Sequence, residues 1–491
     1  MASPSLIEAD ITVVGAGAAG LYAALNAARA GARVALVSAT PLAESASYWA
    51  QGGLAAALAF DDSPQRHLED TVAAGRGAVR ESAALVLCAD APARVRDLET
   101  LGVRFDADRR GRLALGLEGG HSKRRVAHAG GSATGRRVTR QLSALVAGEE
   151  RIEVLERRRA ASIWSADGRC VGCLCDDGRA IASRAVVLAT GGAAALWSRT
   201  TNPPGSFGAG LLIAHAAGAE LADLELMQFH PTAVAVVESG GRGAGADGFL
   251  VTEAIRGEGA ELLDAGGERF VDELAPRDEV ARAIELRLRE TGTAAVLLDM
   301  RQVDARLFPN VVSALRRAGI YPEHELVPVA PAAHYLMGGI ATDLYGRSSL
   351  PGLYAVGECA CTGLHGANRL ASNSLTECFV FGHRAALASL DEPATARGVL
   401  PQPGEPVSAP PAQSSRENLW RLAGLQRSPE GLTKLLEDPY PLARLVAACA
   451  LARAESRGAH WRTDHPAPDP ALDRHHAVVR PTGDLVFERW E

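Results

Sequence analysis

The sequence predicts an α/β protein: a parallel sheet with helices, interrupted by an inserted α+β unit and followed by a small helical domain. Three observations carry this prediction. Near the start, a β-branched strand runs into a glycine-rich turn and an alanine-rich helix. Two later segments, "AVVLATGG" (Ala185–Gly192) and "GLYAVGE" (Gly352–Glu358), each repeat a strand that ends in glycine. A Pro/Ala/Ser-rich stretch without periodic apolar residues then separates these segments from a run with helical spacing.

At 491 residues the chain is long enough for two or three domains. A net charge of −7 gives no reason to expect nucleic acid as a partner. The basic runs Lys123–His128 and Arg157–Ala160 read as solvated faces. No apolar run approaches the ~20 residues of a membrane span. The first residues lack a basic n-region, an apolar h-region and a cleavage site, so the expectation is a cytoplasmic protein with its eight cysteines reduced. Cys170, Cys173 and Cys175 lie close together, but no second ligand cluster follows them. Turn signals at Asp167-Gly168 and Asp177-Gly178 make this segment a β-hairpin unit with strand cysteines, not a metal site.

In "ITVVGAGAAGLYAALNAARAGARVALVS" the strand ends at Val14, and Gly15, Gly17 and Gly20 follow in GxGxxG spacing. Such glycines permit a tight turn, close approach of backbone to a pyrophosphate and close helix–strand packing, with the helix N-terminus at Ala18 and Ala19 facing the phosphates. About 20 positions on, an acidic residue usually holds the ribose of a nicotinamide cofactor. Here that position is Ser38. The two later strand–glycine segments suit a large Rossmann-like flavoprotein whose FAD-binding domain is interrupted by an insertion.

The charged residues of the later sequence point to an anionic substrate. Arg277, Arg369, His230 and His334 stand in Gly/Ala/Pro-rich sequence. A planar guanidinium suits bidentate carboxylate binding, and a four-carbon dicarboxylate offers two carboxylates. "NSLTECFVFG" reads as a helix start with Asn373 or Ser374 near the N-cap, able to stabilise negative charge on a reduced flavin. Glu253 and Arg256 sit three apart on one helical face.

Several short words occur in a diagnostic order: "VVGAGAAG", "AQGG" (Ala50–Gly53), "EGGHS" (Glu118–Ser122), "TTNP", "MQFHPT" (Met227–Thr232), "TEAIRGEGA" (Thr252–Ala260), "APRDEVARAI" (Ala275–Ile284), "PAAHY" (Pro331–Tyr335) and "GLHGANRLASNSL". Together they resemble, nearly end to end, the flavoprotein family of L-aspartate oxidase, succinate dehydrogenase and fumarate reductase. Within it, Glu118 and "CTGLHGANRLASNSL" resemble the oxidase branch.

The resemblance implies FAD contacts at Ser47, Ala50, Gln51, Gly52, Gly53, Glu358, Ser374 and Leu375, beside the first glycine turn and Ser38. It implies a substrate site of His230, Thr252, His334 and Arg369, with Glu118 reading the substrate amine. Arg277 is implied as proton shuttle, with Glu253 and Arg256 as its relay. The respiratory relatives attach flavin to a histidine where this chain has Ala46, so FAD is expected to be non-covalent. The implied reaction converts L-aspartate to iminoaspartate, with O2 or fumarate as acceptor, at the start of de novo NAD synthesis, with handover to quinolinate synthase. The alternative is the flavoprotein subunit of a succinate dehydrogenase or fumarate reductase complex.

The expected organisation is an FAD-binding domain over 1–223 and 336–390, a capping domain over 224–335, a linker over 391–415 and a helical domain over 416–491. Two departures from the family stand out. Ala209 replaces an aspartate, which predicts looser FAD binding. Pro439 and Pro441 interrupt the C-terminal helical region.

Overall fold

The computed structural model describes residues 6–235, 247–394 and 409–491. Its central layer is a five-stranded parallel sheet in the order Leu353–Ala355, Ala185–Leu188, Ile11–Val14, Val34–Ser38 and Ile152–Glu156. The strand Ile11–Val14 is buried throughout, as a central parallel strand covered on both faces must be. The two strand–glycine segments read from the sequence are therefore neighbours of the first strand, although they lie far along the chain. The helices Ala18–Arg29 and Asn373–Ala388 pack against each other on this layer, with Tyr22 and Phe379 edge to face at 5.2 Å.

The cysteine-rich segment forms the expected hairpin unit. Ala160–Ala166 pairs with Arg169–Cys175 across a turn in which Asp167 and Gly168 both take positive φ (50° and 72°), and Ala180–Ala182 adds beside it. Cys170, Cys173 and Cys175 are buried in the middle strand. Burial pushes the Cys170 thiol up to about 12, so it is an inert core residue.

Between residues 227 and 336 the chain builds its own antiparallel sheet: Met227–Val234, Val327–Leu336, Val296–Asp299 and Glu261–Leu263. The helices Arg277–Thr291 and Pro309–Arg317 cover it, and a separate apolar core including Val280, Ile284, Leu298, Val311 and Val329 holds it together. This inserted unit overlaps the stretch 224–335 expected to form the cap. Its strand Val327–Leu336 leads into Gly339–Ala341, which pairs with Leu221–Ala222.

Beyond the cap lie the helices Gln413–Leu422, Pro429–Leu435 and Pro441–Ala452. Pro441 occupies the first turn of the last of these, where its missing N–H costs nothing. Most of the predicted linker (residues 395–408) lies outside the described residues, and the first of these helices already begins at Gln413. The chain then ends in a hairpin, His475–Val479 with Leu485–Arg489, that the helical spacing did not anticipate. This hairpin joins a sheet through Leu221–Ala222, at the point where the chain leaves for the cap. Among the described residues, no helix is long and apolar enough to cross a membrane.

Candidate active site

The glycine turn is built as its spacing requires. Gly15 has φ +113°, and an added Cβ would meet the Ala189 carbonyl oxygen at 2.1 Å. An added Cβ on Gly20 would meet the Gly15 oxygen at 1.9 Å, which is the close helix–strand packing expected of the third glycine. The helix that follows has no side-chain cap and no acid in its first turn. Its Ala18 N–H donates to the Ser47 hydroxyl at 3.1 Å, so Ser47 sits at the helix N-terminus beside Ala19. Ser38 ends its strand, buried, and donates to the Thr40 carbonyl at 2.6 Å.

A second helix terminus faces the same region. Asn373–Ala388 starts one residue earlier than the sequence suggested. Ser372 takes a left-handed φ of +60° as N-cap, and neither Asn373 nor Ser374 caps the helix. The Ser372 hydroxyl is used elsewhere: it donates to Glu118 Oε2 at 2.7 Å and accepts from the Gly53 N–H at 3.1 Å. The first turn, with Ser374 and Leu375, thus begins without a side-chain cap. Ala50–Gly53 pack beneath it: an added Cβ on Gly52 would lie 3.2 Å from Ser372 Oγ. Gln51 donates to the Leu250 carbonyl at 2.9 Å, which ties this segment to the cap. Glu358 abuts Gly192 and accepts from the Leu336 N–H at 3.1 Å; burial pushes its carboxyl up to about 7.

Arg277 opens the cap helix. Its Nε donates to Glu253 Oε2 at 2.6 Å, and Arg256 Nη2 lies 3.7 Å from the same oxygen. Burial alone would raise the Glu253 carboxyl, but the guanidinium groups of Arg277 and Arg256 hold it below its ordinary value. Arg256 is buried, so it is no surface salt-bridge partner. It also donates to the Glu273 carbonyl.

Arg369 comes from the other side, out of the loop before Asn373–Ala388, and is only 4% exposed. Between the two arginines stands Gln228, whose Oε1 accepts from Arg369 Nε at 3.2 Å and Arg277 Nη1 at 3.4 Å. The Gln228 amide nitrogen donates to Asn368 Oδ1 and to the Arg369 carbonyl, each at 2.9 Å, so this side chain is fully engaged.

His230 and His334 meet edge to face at 5.1 Å. Burial, then repulsion from Arg277, pulls both well below the ordinary histidine value, so both are neutral. His230 Nδ1 accepts from the Thr232 N–H at 3.2 Å, which places the proton on Nε2, free to donate. His334 Nδ1 is 2.7 Å from the Thr201 hydroxyl. Thr252, buried, precedes Glu253 at the start of the short helix. Glu118 is buried as well. Among the described residues its Oε1 has no hydrogen-bond partner, and it lies 3.8 Å from His128 Nε2. An added Cβ on Gly119 would strike Glu253 Oε1 at 2.1 Å, so Glu118 is adjacent to Glu253 by way of its neighbour.

Known proteins are similar to the chain over nearly its whole length. Residues 10–375 match the FAD binding domain family, and residues 431–488 match the fumarate reductase flavoprotein C-terminal family. The L-aspartate oxidase of Caulobacter vibrioides is 47% identical over 93% of this chain and 94% of its own length. That of Streptomyces coelicolor is 40% identical over 98% and 93%. The chain belongs to the L-aspartate oxidase family. Among solved structures, a quinol-fumarate reductase with menaquinol molecules superposes with a TM-score of 0.87 at 27% identity, covering 99% of this chain and 98% of that one. Mycobacterium smegmatis Sdh1 in complex with UQ1 gives 0.82 at 29% identity, over 99% and 95%.

Membership of this family makes the protein an FAD-dependent oxidoreductase, and the residues present fit FAD. Two helix N-termini start without side-chain caps, an anion-favouring arrangement for a diphosphate and for a reduced ring system. Close backbone packing at Gly15 and Gly20 forms the turn that a pyrophosphate approaches. The buried Gln51 Oε1 has no hydrogen-bond partner among the described residues. At the helix Ala209–Ala216, Ala209 contributes only a methyl group where an acceptor was expected, and Gly210 packs against Thr190.

Three residues of this constellation were not singled out from the sequence: Gln228, Thr201 and Ser372. Gln228 could have been found, since it is two positions from His230 and strand alternation puts both on one face. Ser372 could not, because its role follows from a left-handed backbone that only the packed loop imposes.

Proposed function

We propose that the chain oxidises L-aspartate to iminoaspartate, the first step of de novo NAD synthesis. Bound FAD would supply the two-electron acceptor, with O2 or fumarate as its oxidant. Ala46 offers no nucleophile for attachment, so the FAD is held non-covalently. The observation that carries the substrate assignment is Glu118 Oε1, a buried carboxylate oxygen without a hydrogen-bond partner among the described residues, with His128 Nε2 3.8 Å away. A substrate ammonium would pair with it, whereas succinate would leave it unpaired.

The other residues then take definite roles. Arg369, Thr252, neutral His230 and neutral His334 donate to the two substrate carboxylates. Arg277 is held by Glu253 and Gln228, with its remaining N–H groups toward the bound diacid. Losing a hydride from the amino-bearing carbon and a proton from its neighbour leaves the enamine, a tautomer of the imine. Arg277 can take that proton only after passing one of its own to Glu253, 2.6 Å from its Nε; the guanidine so formed accepts the substrate proton, and Glu253, itself near Arg256, carries the first one away. Iminoaspartate would then pass to quinolinate synthase.

Hydrogen peroxide formed from L-aspartate by the isolated, FAD-loaded protein tests this reading. Glu118→Gln is expected to lower kcat/KM for aspartate by roughly 10–100-fold, the worth of a charge-assisted hydrogen bond, with no matching loss for succinate. No peroxide from aspartate, with succinate oxidised by an artificial acceptor, would instead favour a succinate dehydrogenase or fumarate reductase flavoprotein, the reading that the structural likeness keeps open.

A further inference from the structure

Arg369 poses a problem of charge that the proposed roles leave unsolved. A buried guanidinium needs compensation. Arg277 has Glu253, but among the described residues no carboxylate lies within 4.0 Å of Arg369. Its hydrogen-bond partners, Gln228 Oε1 and Ser374 Oγ (3.0 Å), are both neutral. Its Nη2 has no partner among the described residues. What lies against the guanidinium is the ring of Tyr335, 4.8 Å from centroid to Cζ.

Behind that ring lies a carboxylate. The Tyr335 hydroxyl donates to Glu377 Oε2 at 2.9 Å, and His365 Nε2 is 2.9 Å from the same oxygen and 3.2 Å from the phenol. Thr362 donates to Glu377 Oε1 at 3.1 Å. Glu377, Tyr335 and His365 are all buried, and no lysine or arginine is paired with Glu377 among the described residues. Burial, together with the charges of Glu377 and Glu358, holds the Tyr335 phenol well above its ordinary value, so it keeps its proton and donates.

We infer that Tyr335, backed by Glu377 and His365, is a positioning residue for Arg369. It presents the counter-charge of Glu377 through an aromatic face and leaves the guanidinium edge free for a substrate carboxylate. A phenol that donates to a carboxylate has a more electron-rich ring, which attracts a cation over its face more strongly. A carboxylate placed directly on Arg369 would instead take the same bidentate donors as the substrate. Tyr335 pairs with Gln228 and the next pair is Phe229 with Ala333, so His334 is the extra residue of a β-bulge, a feature that re-aims side chains locally.

The inference rests on the dicarboxylate reading of the site, so its test uses binding rather than turnover. Succinate titrated into the FAD-loaded protein, followed by flavin absorbance, gives Kd. Tyr335→Phe and Glu377→Gln are each expected to weaken succinate by about 3–10-fold, and Tyr335→Leu by about 10–30-fold, the range of a desolvated cation–ring contact. The double variant should be no weaker than the poorer single one, because both changes cut the same link. In turnover the loss should fall on KM more than on kcat. If Tyr335→Leu does not fold, the two conservative variants carry the test.

Unchanged succinate Kd in folded, FAD-loaded variants would overturn the inference, as would additive losses in the double variant. A wild-type protein that binds succinate but makes no peroxide from aspartate would refute the aspartate reading and leave this inference standing if the variant pattern holds.

Discussion

The chain buries two clusters of arginine and balances them differently. Around Arg453, at the junction where the chain leaves for the cap, Arg427, Arg453 and Arg457 accompany Asp223, Glu225 and Glu455. Arg453 reaches Glu225 at 2.6 Å, Glu455 at 3.1 Å and Asp223 at 3.5 Å, and Arg457 pairs with Glu455 at 2.9 Å. Arg427 is solvated by the Glu225 and Gly424 carbonyls. Burial alone would lower Arg453, but the charges of Glu225 and Asp223 hold it above its ordinary value. In the candidate active site, Arg256, Arg277 and Arg369 have Glu253 as their one close carboxylate among the described residues.

In the first cluster Arg453 and Arg457 are matched by three acids and fasten the C-terminal segment to the base of the cap, whereas Arg427 has only carbonyls and His460, and burial lowers it to about 10. The second, three against one, is open. Burial, then repulsion from Arg277, lowers Arg369 to about 10, and under the proposed function a bound dianion would supply the missing charge.

Breaking the first cluster should have the largest effect on stability. Glu225→Gln leaves Arg453 short of its nearest partner and is expected to cost about 3–5 kcal/mol, read as a fall in Tm or denaturant midpoint, with normal specific activity in the folded fraction. Removing charge from the open cluster should do the reverse. Arg369→Leu is expected to leave the ligand-free Tm unchanged or raise it, since it removes an undercompensated buried cation. The same variant should lose the succinate-induced stabilisation of wild type, about 2.7 kcal/mol at 100 times Kd. A fall in ligand-free Tm like that of Glu225→Gln would erase the distinction between the clusters.

The smallest expected effect concerns Glu358, beside the site. Its carboxyl is raised from 4.5 to about 7, so its contribution to stability is full below pH 4.5 and declines as pH rises through about 7. Glu358→Gln, neutral at every pH, should flatten the apoprotein's stability profile over that window.

Much of this was legible in the sequence because it is local chemistry. The glycine turn, the Asp-Gly hairpin of the cysteine segment and the break at Pro441 each follow from what a few adjacent residues can do. The site residues Arg277, Arg369, His230 and His334 could be named because charged groups in small-residue surroundings are unusual. What could not be read was pairing. Gln228 between two guanidinium groups joins residues up to 141 positions apart, and Ser372 between Glu118 and Gly53 spans 319.

The terminal hairpin escaped for the same reason. Its short strands find their place only because Leu221–Ala222 presents an edge to them. The sequence by itself determined where glycine must stand, which residues carry charge and in what order the strands occur. Only the tertiary structure decided which of those charges are neutralised from within and which are left to a ligand. The physical reason is that the energy of a buried charge is set by whatever lies within a few ångströms of it, and those neighbours come from anywhere along the chain.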